Sequence, residues 1–348
     1  MVKLKVFTPI KYVPKHANII SSRWVFKLKR DAEGNIIIRK ARLVARGFTQ
    51  QEGIDYFETF SPTLKQDSLR IITALATQKN FKIKQIDVNS AYLNANLTED
   101  IYMKSPEGYE SNKNTFWKLN KALYGLKQSG KAWNDQLNNI LLKINFKRLK
   151  CDPCLYKKEN KHGNITCILA VYVDDILLTG NESEINQTTS LIKKYFEIKE
   201  LGDAKFIIGI KFERYNNGYI LHQKRYINDL LIKFKDENIY PTNNIKPIND
   251  EKLRNISIDK TKYRSAVGNL LYLSISTRPD IIYAVSKAAR KTKDPNLEDW
   301  KNILKIMGYL KCTINYGLKF NSNSNIKAYS DADMPGTKTL ENLRLGIS

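Results

Sequence analysis

Asp174 and Asp175 stand side by side between two apolar runs, Cys167 to Val173 and Ile176 to Thr179, the second closed by Gly180. Runs rich in Val, Ile and Leu and bounded by a turn residue read as short buried strands, so the two acids fall at a tight turn between them. Carboxylates this close raise each other's pKa unless a cation offsets the repulsion, and an all-oxygen pair suits magnesium. The chemistry such a pair could do is metal-assisted phosphoryl transfer. Asp is equally common in solvated hairpin turns, and the pair by itself fits both descriptions. A third acid, Asp87, ends the alternating stretch Lys82 to Val88, with Tyr92 five residues further on. An acid at the end of a strand is well placed for chemistry.

These acids need a scaffold. Trp24 to Lys29 and Ile36 to Arg46, joined by a turn with Gly34-Asn35, read as a hairpin. On its second strand Lys40, Arg42 and Arg46 recur at even spacing and share one face, while Leu43 takes the other. That stripe could hold phosphates, or it could be a charged edge strand. Gln66 to Asn80 carries a helical apolar face, as do Trp133, Leu137, Ile140, Leu141 and Ile144 behind the entrance Leu123 to Gly130. Leu155 to Lys158 pairs with Ile165 to Val173, Ile185 to Tyr195 reads as a helix, and Phe206 to Arg214 with Tyr219 to His222 reads as a hairpin about Asn216-Asn217-Gly218. The middle of the chain is thus strand, helix, strand, strand, helix, strand, a split βαβ pattern of an α+β protein. Gln223 to Lys235 is one more helix, and Pro241 to Asp250 reads as a linker. Tyr263 to Ile275, Ile281 to Lys291 and Leu297 to Cys312 form a mainly helical segment, followed by strands at Tyr316 to Phe320 and Ile326 to Ser330.

Composition narrows the function classes. The 348 residues carry 58 Lys and Arg against 35 Asp and Glu, a net charge of +23, and the hydrophobic share of 42% is globular. Such an excess favours a polyanion, most simply nucleic acid. Twelve of the basic residues fall in the first fifty, where Asp31 and Glu33 are the only acids. Four cysteines and no secretory leader point to a reducing compartment, and no apolar run nears the roughly 18 residues of a membrane span. Cys151 and Cys154 form a CxxC, but no second pair or nearby His completes a zinc set.

In order and spacing, Arg23 to Lys27, Lys40 to Phe48, Ile86 to Asn94, Leu123 to Ser129 and Tyr172 to Asp175 together resemble the reverse transcriptase of copia/Ty-type LTR retrotransposons. The resemblance runs from about Ser22 to Phe320. It implies an RNA-directed DNA polymerase shaped as a right hand, with fingers, palm and thumb over 22–250, an amino-terminal segment 1–21, and a connection segment over 251–325. Asp87, Asp174 and Asp175 match the catalytic, metal-binding acids. Two magnesium ions about 3.5 to 4 Å apart, with manganese as the alternative, would serve the primer 3′-hydroxyl and the leaving pyrophosphate. Tyr92 matches the aromatic gate under the deoxyribose, Lys40 and Arg42 the strand that grips the triphosphate, and Gln128 a contact to the incoming nucleotide. Phe206, Ile208 and Gly209 fall in a segment that resembles the primer grip. The implied partners are an RNA or DNA template with its primer and dNTPs, with no membrane. The implied location is intracellular, cytoplasmic, with virus-like particles or the nucleus as alternatives.

The carboxyl end departs from the pattern. Ala328 to Asp333 resembles the first strand of a ribonuclease H-like domain, with Asp331 as its first acid, over 326–348. Met334-Pro335 stands where the family has Trp and a small residue, and the sequence ends at Ser348. The expectation is therefore a truncated domain without ribonuclease H activity. A competing reading is a catalytically silent, degraded retroelement fragment that at most binds nucleic acid. A third, an RNA-templated RNA polymerase, is disfavoured by Tyr92.

Overall fold

The structure is a computed structural model and describes residues 1–30, 35–109, 115–216 and 218–322. The strand expected at Ile326 to Ser330 and Asp331 itself lie outside the described residues. Near the amino terminus come β1 (Phe7–Ile10) and β2 (Ile19–Ile20), then β3 (Ser22–Arg30) and β4 (Ile36–Ala45), which pair as a two-stranded antiparallel ribbon with Val25 opposite Arg42. Alternation along β4 buries Leu43 and Ala45 and leaves Lys40 and Arg42 half-exposed on the other side. α1 (Gln66–Gln78) follows, its start fixed by the fully buried Asp152, whose carboxylate accepts from the Lys65 amide at 3.0 Å and the Ser68 hydroxyl at 2.6 Å.

Next along the chain are β5 (Lys82–Val88), β6 (Asn96–Lys104), β7 (Phe116–Lys121), α2 (Ser129–Lys143), β8 (Lys147–Arg148), β9 (Leu155–Glu159), β10 (Ile165–Tyr172), β11 (Asp175–Gly180), α3 (Glu182–Lys193) and β12 (Ile198–Asp203). One sheet takes the order β1-β7-β6-β2, and the central, antiparallel sheet the order β12-β5-β11-β10-β9-β8. Two-residue periodicity decides what each face of the central sheet carries. Ile86, Val88, Ile176 and Leu178 pack under α2 and α3 against Trp133, Leu137, Ile140, Ile185 and Ile192. Ile83, Ala170 and Leu177 take the opposite face, against Leu69, Ile72 and Ala76 of α1. Each Ile, Leu or Val among them contributes roughly 1.5–3 kcal/mol when fully buried. A one-residue slip of β5 against β11 would carry each set to the wrong face and break both packings, so the register is firmly set. The parity that buries Ile83 and Leu177 also carries Gln85, Asp87 and Asp175 onto the α1 face.

The remainder comprises β13 (Phe206–Ile207), β14 (Ile210–Tyr215), β15 (Gly218–His222), α4 (Lys224–Lys233), α5 (Lys260–Ser276), α6 (Ile282–Ala289), α7 (Leu297–Cys312) and β16 (Leu318–Phe320). The order β13-β14-β15-β16 brings the chain back, after the helices, onto the sheet it left. α4 to α7 share one core, including Ile227, Leu230, Tyr263, Leu270, Trp300 and Ile303. α7 starts with a reciprocal capping box between Asn296 and Asp299. The contacts that tie this helical unit to the rest include two hydrogen bonds. The Arg70 guanidinium of α1 donates to the Ser276 carbonyl at the C-terminus of α5 (3.1 Å), a favourable end for a cation, and the Tyr272 hydroxyl donates to the Ile208 carbonyl (2.5 Å). Among the described residues no helix is long and apolar enough to cross a membrane.

The expected strand over Phe206 to Arg214 is broken. Ile208 and Gly209 both take positive φ, +48° and +70°, and form a two-residue turn between β13 and β14. The sequence carries no signal for β12, which as an edge strand is largely exposed and shows no apolar alternation.

Candidate active site

In the β5–β11 register Asp175 lies directly opposite Asp87. Tyr172 pairs with Asp175 across the β10–β11 hairpin, so Val173 and Asp174 form its two-residue turn, and the Asp174 carbonyl accepts from the Val88 amide at 2.8 Å. Three carboxyls thus converge where two central strands end. Val173 sits at φ +57°, a conformation that costs a β-branched residue roughly 1–3 kcal/mol and persists only where neighbours enforce it. The neighbour is Trp133, 2% exposed in α2, whose indole N–H donates to the Val173 carbonyl at 2.7 Å.

Electrostatics mark the same spot. Burial raises the Asp175 carboxyl pKa above the usual carboxylate range and repulsion from Asp174 and Asp87 adds to it, while the Gln85 hydrogen bond pulls the other way. That bond runs from Gln85 Nε2 to Asp175 Oδ1 at 2.9 Å, and Nε2 also faces the Phe206 carbonyl at 3.2 Å.

Tyr92 lies in a short 3-10 turn, Ala91–Asn94, entered through Ser90 at φ +53°. Its ring meets that of Tyr124 at 4.9 Å between centroids, and the Arg42 guanidinium lies 5.7 Å over the Tyr124 ring. Burial, followed by the nearby Asp174 charge, raises both phenols and keeps them neutral donors. The basic ribbon reaches this position by a backbone-to-backbone contact. The Ala45 amide donates to the Tyr124 carbonyl at 2.7 Å, and a Cβ on Gly125, at φ +95°, would fall 2.1 Å from the Ala45 carbonyl oxygen. Only glycine fits there. Lys40 is half-buried on β4, on the same face as Arg42.

Gln128 is 2% exposed at the entrance of α2, and its side chain is engaged internally. Its Oε1 accepts from Gln50 Nε2 at 3.1 Å, and its Nε2 donates to the Asp55 carbonyl at 2.7 Å. A nucleotide contact would require that amide to leave Gln50. Phe206 is half-exposed on β13, with Ile208 and Gly209 at the tip of its hairpin. The structure therefore brings Asp87, Asp174, Asp175 and Tyr92 together, with Arg42 joined through Tyr124.

Hard carboxylate oxygens with mutual repulsion fit a divalent cation of the magnesium type. Among the described residues no group of three or more His, Cys, Asp or Glu side chains is arranged to hold an ion alone. Further ligands would have to come from phosphate and water, which is how magnesium is usually held at phosphoryl-transfer sites. Cys154 belongs to the α1-side core beside Leu155, and burial pushes its thiol up to about 12.

With this geometry in view, residues 5–249 match the family described as reverse transcriptase (RNA-dependent DNA polymerase). The chain belongs to the reverse transcriptase family. It is 39% identical, over 93% of its length, to the retrovirus-related Pol polyprotein from transposon RE1 of Arabidopsis thaliana, of which it covers 22%. It is 37% identical over the same share to that from transposon TNT 1-94 of Nicotiana tabacum, of which it covers 26%. The putative transposon Ty5-1 protein YCL074W of Saccharomyces cerevisiae is 32% identical over 71% of this chain and 82% of its own length. This reverse transcriptase domain is thus of the copia/Ty type and spans about a quarter of the two plant Pol polyproteins. Sequence reasoning missed Gln85, Tyr124 and Trp133 in it. Gln85 had a legible signal, a polar residue at a core-facing strand position between Ile83 and Asp87.

Proposed function

We propose that this reverse transcriptase domain is an active RNA-directed DNA polymerase that adds deoxynucleotides from dNTPs to a primer 3′-hydroxyl on an RNA or DNA template. In this reading the β3–β4 ribbon is the fingers, the central sheet the palm, and α4 with the following helices the thumb and connection. The observation that carries it is the cross-strand pairing of Asp87 with Asp175 beside the Asp174 turn.

Asp87 and Asp174, with Asp175 behind them, would hold magnesium, which supplies the positive charge needed at the attacking hydroxyl and the leaving pyrophosphate. The protein's own work is positioning and charge neutralisation. Arg42 and Lys40 would bind the triphosphate oxygens from the fingers side. The Arg42 guanidinium lies over the Tyr124 ring, a cation–π contact that would orient it toward the site. The Tyr92 ring, packed on Tyr124, would lie under the sugar and clash with a 2′-hydroxyl. Phe206, Ile208 and Gly209 would seat the primer end, and the net charge of +23 favours the nucleic-acid backbone. The test is extension of oligo(dT) on poly(rA) with labelled dTTP and magnesium. Incorporation of dTTP, with UTP strongly disfavoured, is expected; no product sinks the proposal.

A further inference from the structure

Gln85 is neither an acid nor a residue that reaches the open site, yet it spends its buried amide on two groups that belong to different parts of the molecule. It is 5% exposed on β5. Its Nε2 carries two hydrogens, and the two acceptors in reach are Asp175 Oδ1 at 2.9 Å and the Phe206 carbonyl at 3.2 Å. Both acceptors are explained by strand geometry. Asp175 is displaced by two residues from Leu177, the cross-strand partner of Gln85, on the same face of the sheet. Phe206 pairs with Lys211 while Ile207 and Ile210 close the turn and Lys205 accepts from Phe212. The Phe206 carbonyl therefore points away from β14, out of its own ladder and toward β5.

The far side of the same hairpin is also held. The Tyr272 hydroxyl of α5 donates to the Ile208 carbonyl at 2.5 Å, and a Cβ on Gly209 would fall 2.2 Å from that hydroxyl oxygen. The β13–β14 hairpin is thus gripped from the central sheet by Gln85 and from the helical unit by Tyr272. An apolar residue of the same volume at position 85 would fill the core equally well but make neither bond. What the buried amide adds over such a residue is position, not packing.

We infer that Gln85 is a positioning residue that locks the β13–β14 hairpin to the carboxylate of Asp175, fixing the distance between the seat of the primer end and the acids. The catalytic consequence rests on the polymerase reading; the mechanical link does not.

The test uses the full chain, first without metal or nucleic acid. In Gln85→Met, which keeps the volume and removes the donor, backbone amide exchange should quicken about tenfold in segments 204–211 and 172–176, the scale of one buried hydrogen bond to a charged group. Exchange within α6 and α7 should stay as in the wild type. Unchanged exchange in the two segments, or an equal rise everywhere, overturns the link. Should Gln85→Met not fold, Gln85→Asn keeps the amide but shortens it, and the same two segments should loosen. In primer extension Gln85→Met should lower kcat about tenfold, by the same reasoning, with primer-template Kd and dNTP KM within about twofold. A change in Kd with kcat intact overturns the positioning role. If the wild type does not polymerise, the function proposal fails and the exchange result alone decides the link.

Discussion

Asp87 and Asp175 face each other across two adjacent antiparallel strands, with Asp174 at the turn beside them. Nothing about strand formation requires acids there, and their mutual repulsion costs stability.

That cost has a sign with pH. Burial, and then the charges of Asp174 and Asp87, raise the folded-state pKa of Asp175 above its unfolded value. Between those two values the folded state binds more protons than the unfolded one, so stability falls as pH rises through that window and stays lower above it. Asp175→Asn removes the penalty and keeps an oxygen to accept from Gln85. In metal-free buffer the variant should melt above the wild type at pH 7, and the difference should vanish below about pH 3.9. Equal melting temperatures at pH 7 would show that the Asp175 charge carries no such penalty.

Trp133 secures the turn from the opposite face of the sheet. Trp133→Phe keeps an aromatic ring against Phe196 but leaves the Val173 carbonyl without its indole donor. Urea unfolding should show a loss of about 1–3 kcal/mol, and the extension rate should fall with it. A neutral variant would mean that Val173 keeps its positive φ unaided.

Gly125→Ala places a methyl group into the Ala45 carbonyl at a left-handed position. It should destabilise by more than about 2 kcal/mol. Because that contact seats Arg42 over Tyr124, the variant should also raise the dNTP KM. Wild-type stability would show that the ribbon is placed by something else.

Arg42→Ala should raise the dNTP KM about tenfold or more, the scale of lost hydrogen bonds to a charged group, while primer-template affinity changes little. Affinity for primer-template should itself fall steeply with salt, linearly on logarithmic axes. Weaker primer-template binding with an unchanged dNTP KM would move Arg42 off the triphosphate.

The acids were legible because chemistry and periodicity agreed: Asp87 ends an alternating strand, and Asp174-Asp175 interrupt an apolar run. Helices α1 to α3 were legible from their apolar stripes, α4 as one more helix, and α5 to α7 as a mainly helical segment. What was not legible depended on partners distant in sequence. The glycine at 125 is explained by its positive φ and by the approach of Val44 and the Ala45 carbonyl, on a strand far upstream, and the turn at Ile208–Gly209 is met by the Tyr272 hydroxyl. β12 shows no pattern because only one of its edges is paired and little of it is buried. Gln128 stands at the mouth of α2 as expected. Its burial against Gln50 and Asp55 could not be read locally, since both partners lie far from it in the chain.

The most direct test is single-turnover primer extension by Asp174→Asn beside the wild type, with primer-template affinity measured in parallel. Binding should be kept while the extension rate falls at least about a thousandfold, because stabilising the charge that develops in the transition state is usually what an enzyme contributes most to such chemistry. Extension at near the wild-type rate would show that the acids at this turn are not the catalytic centre.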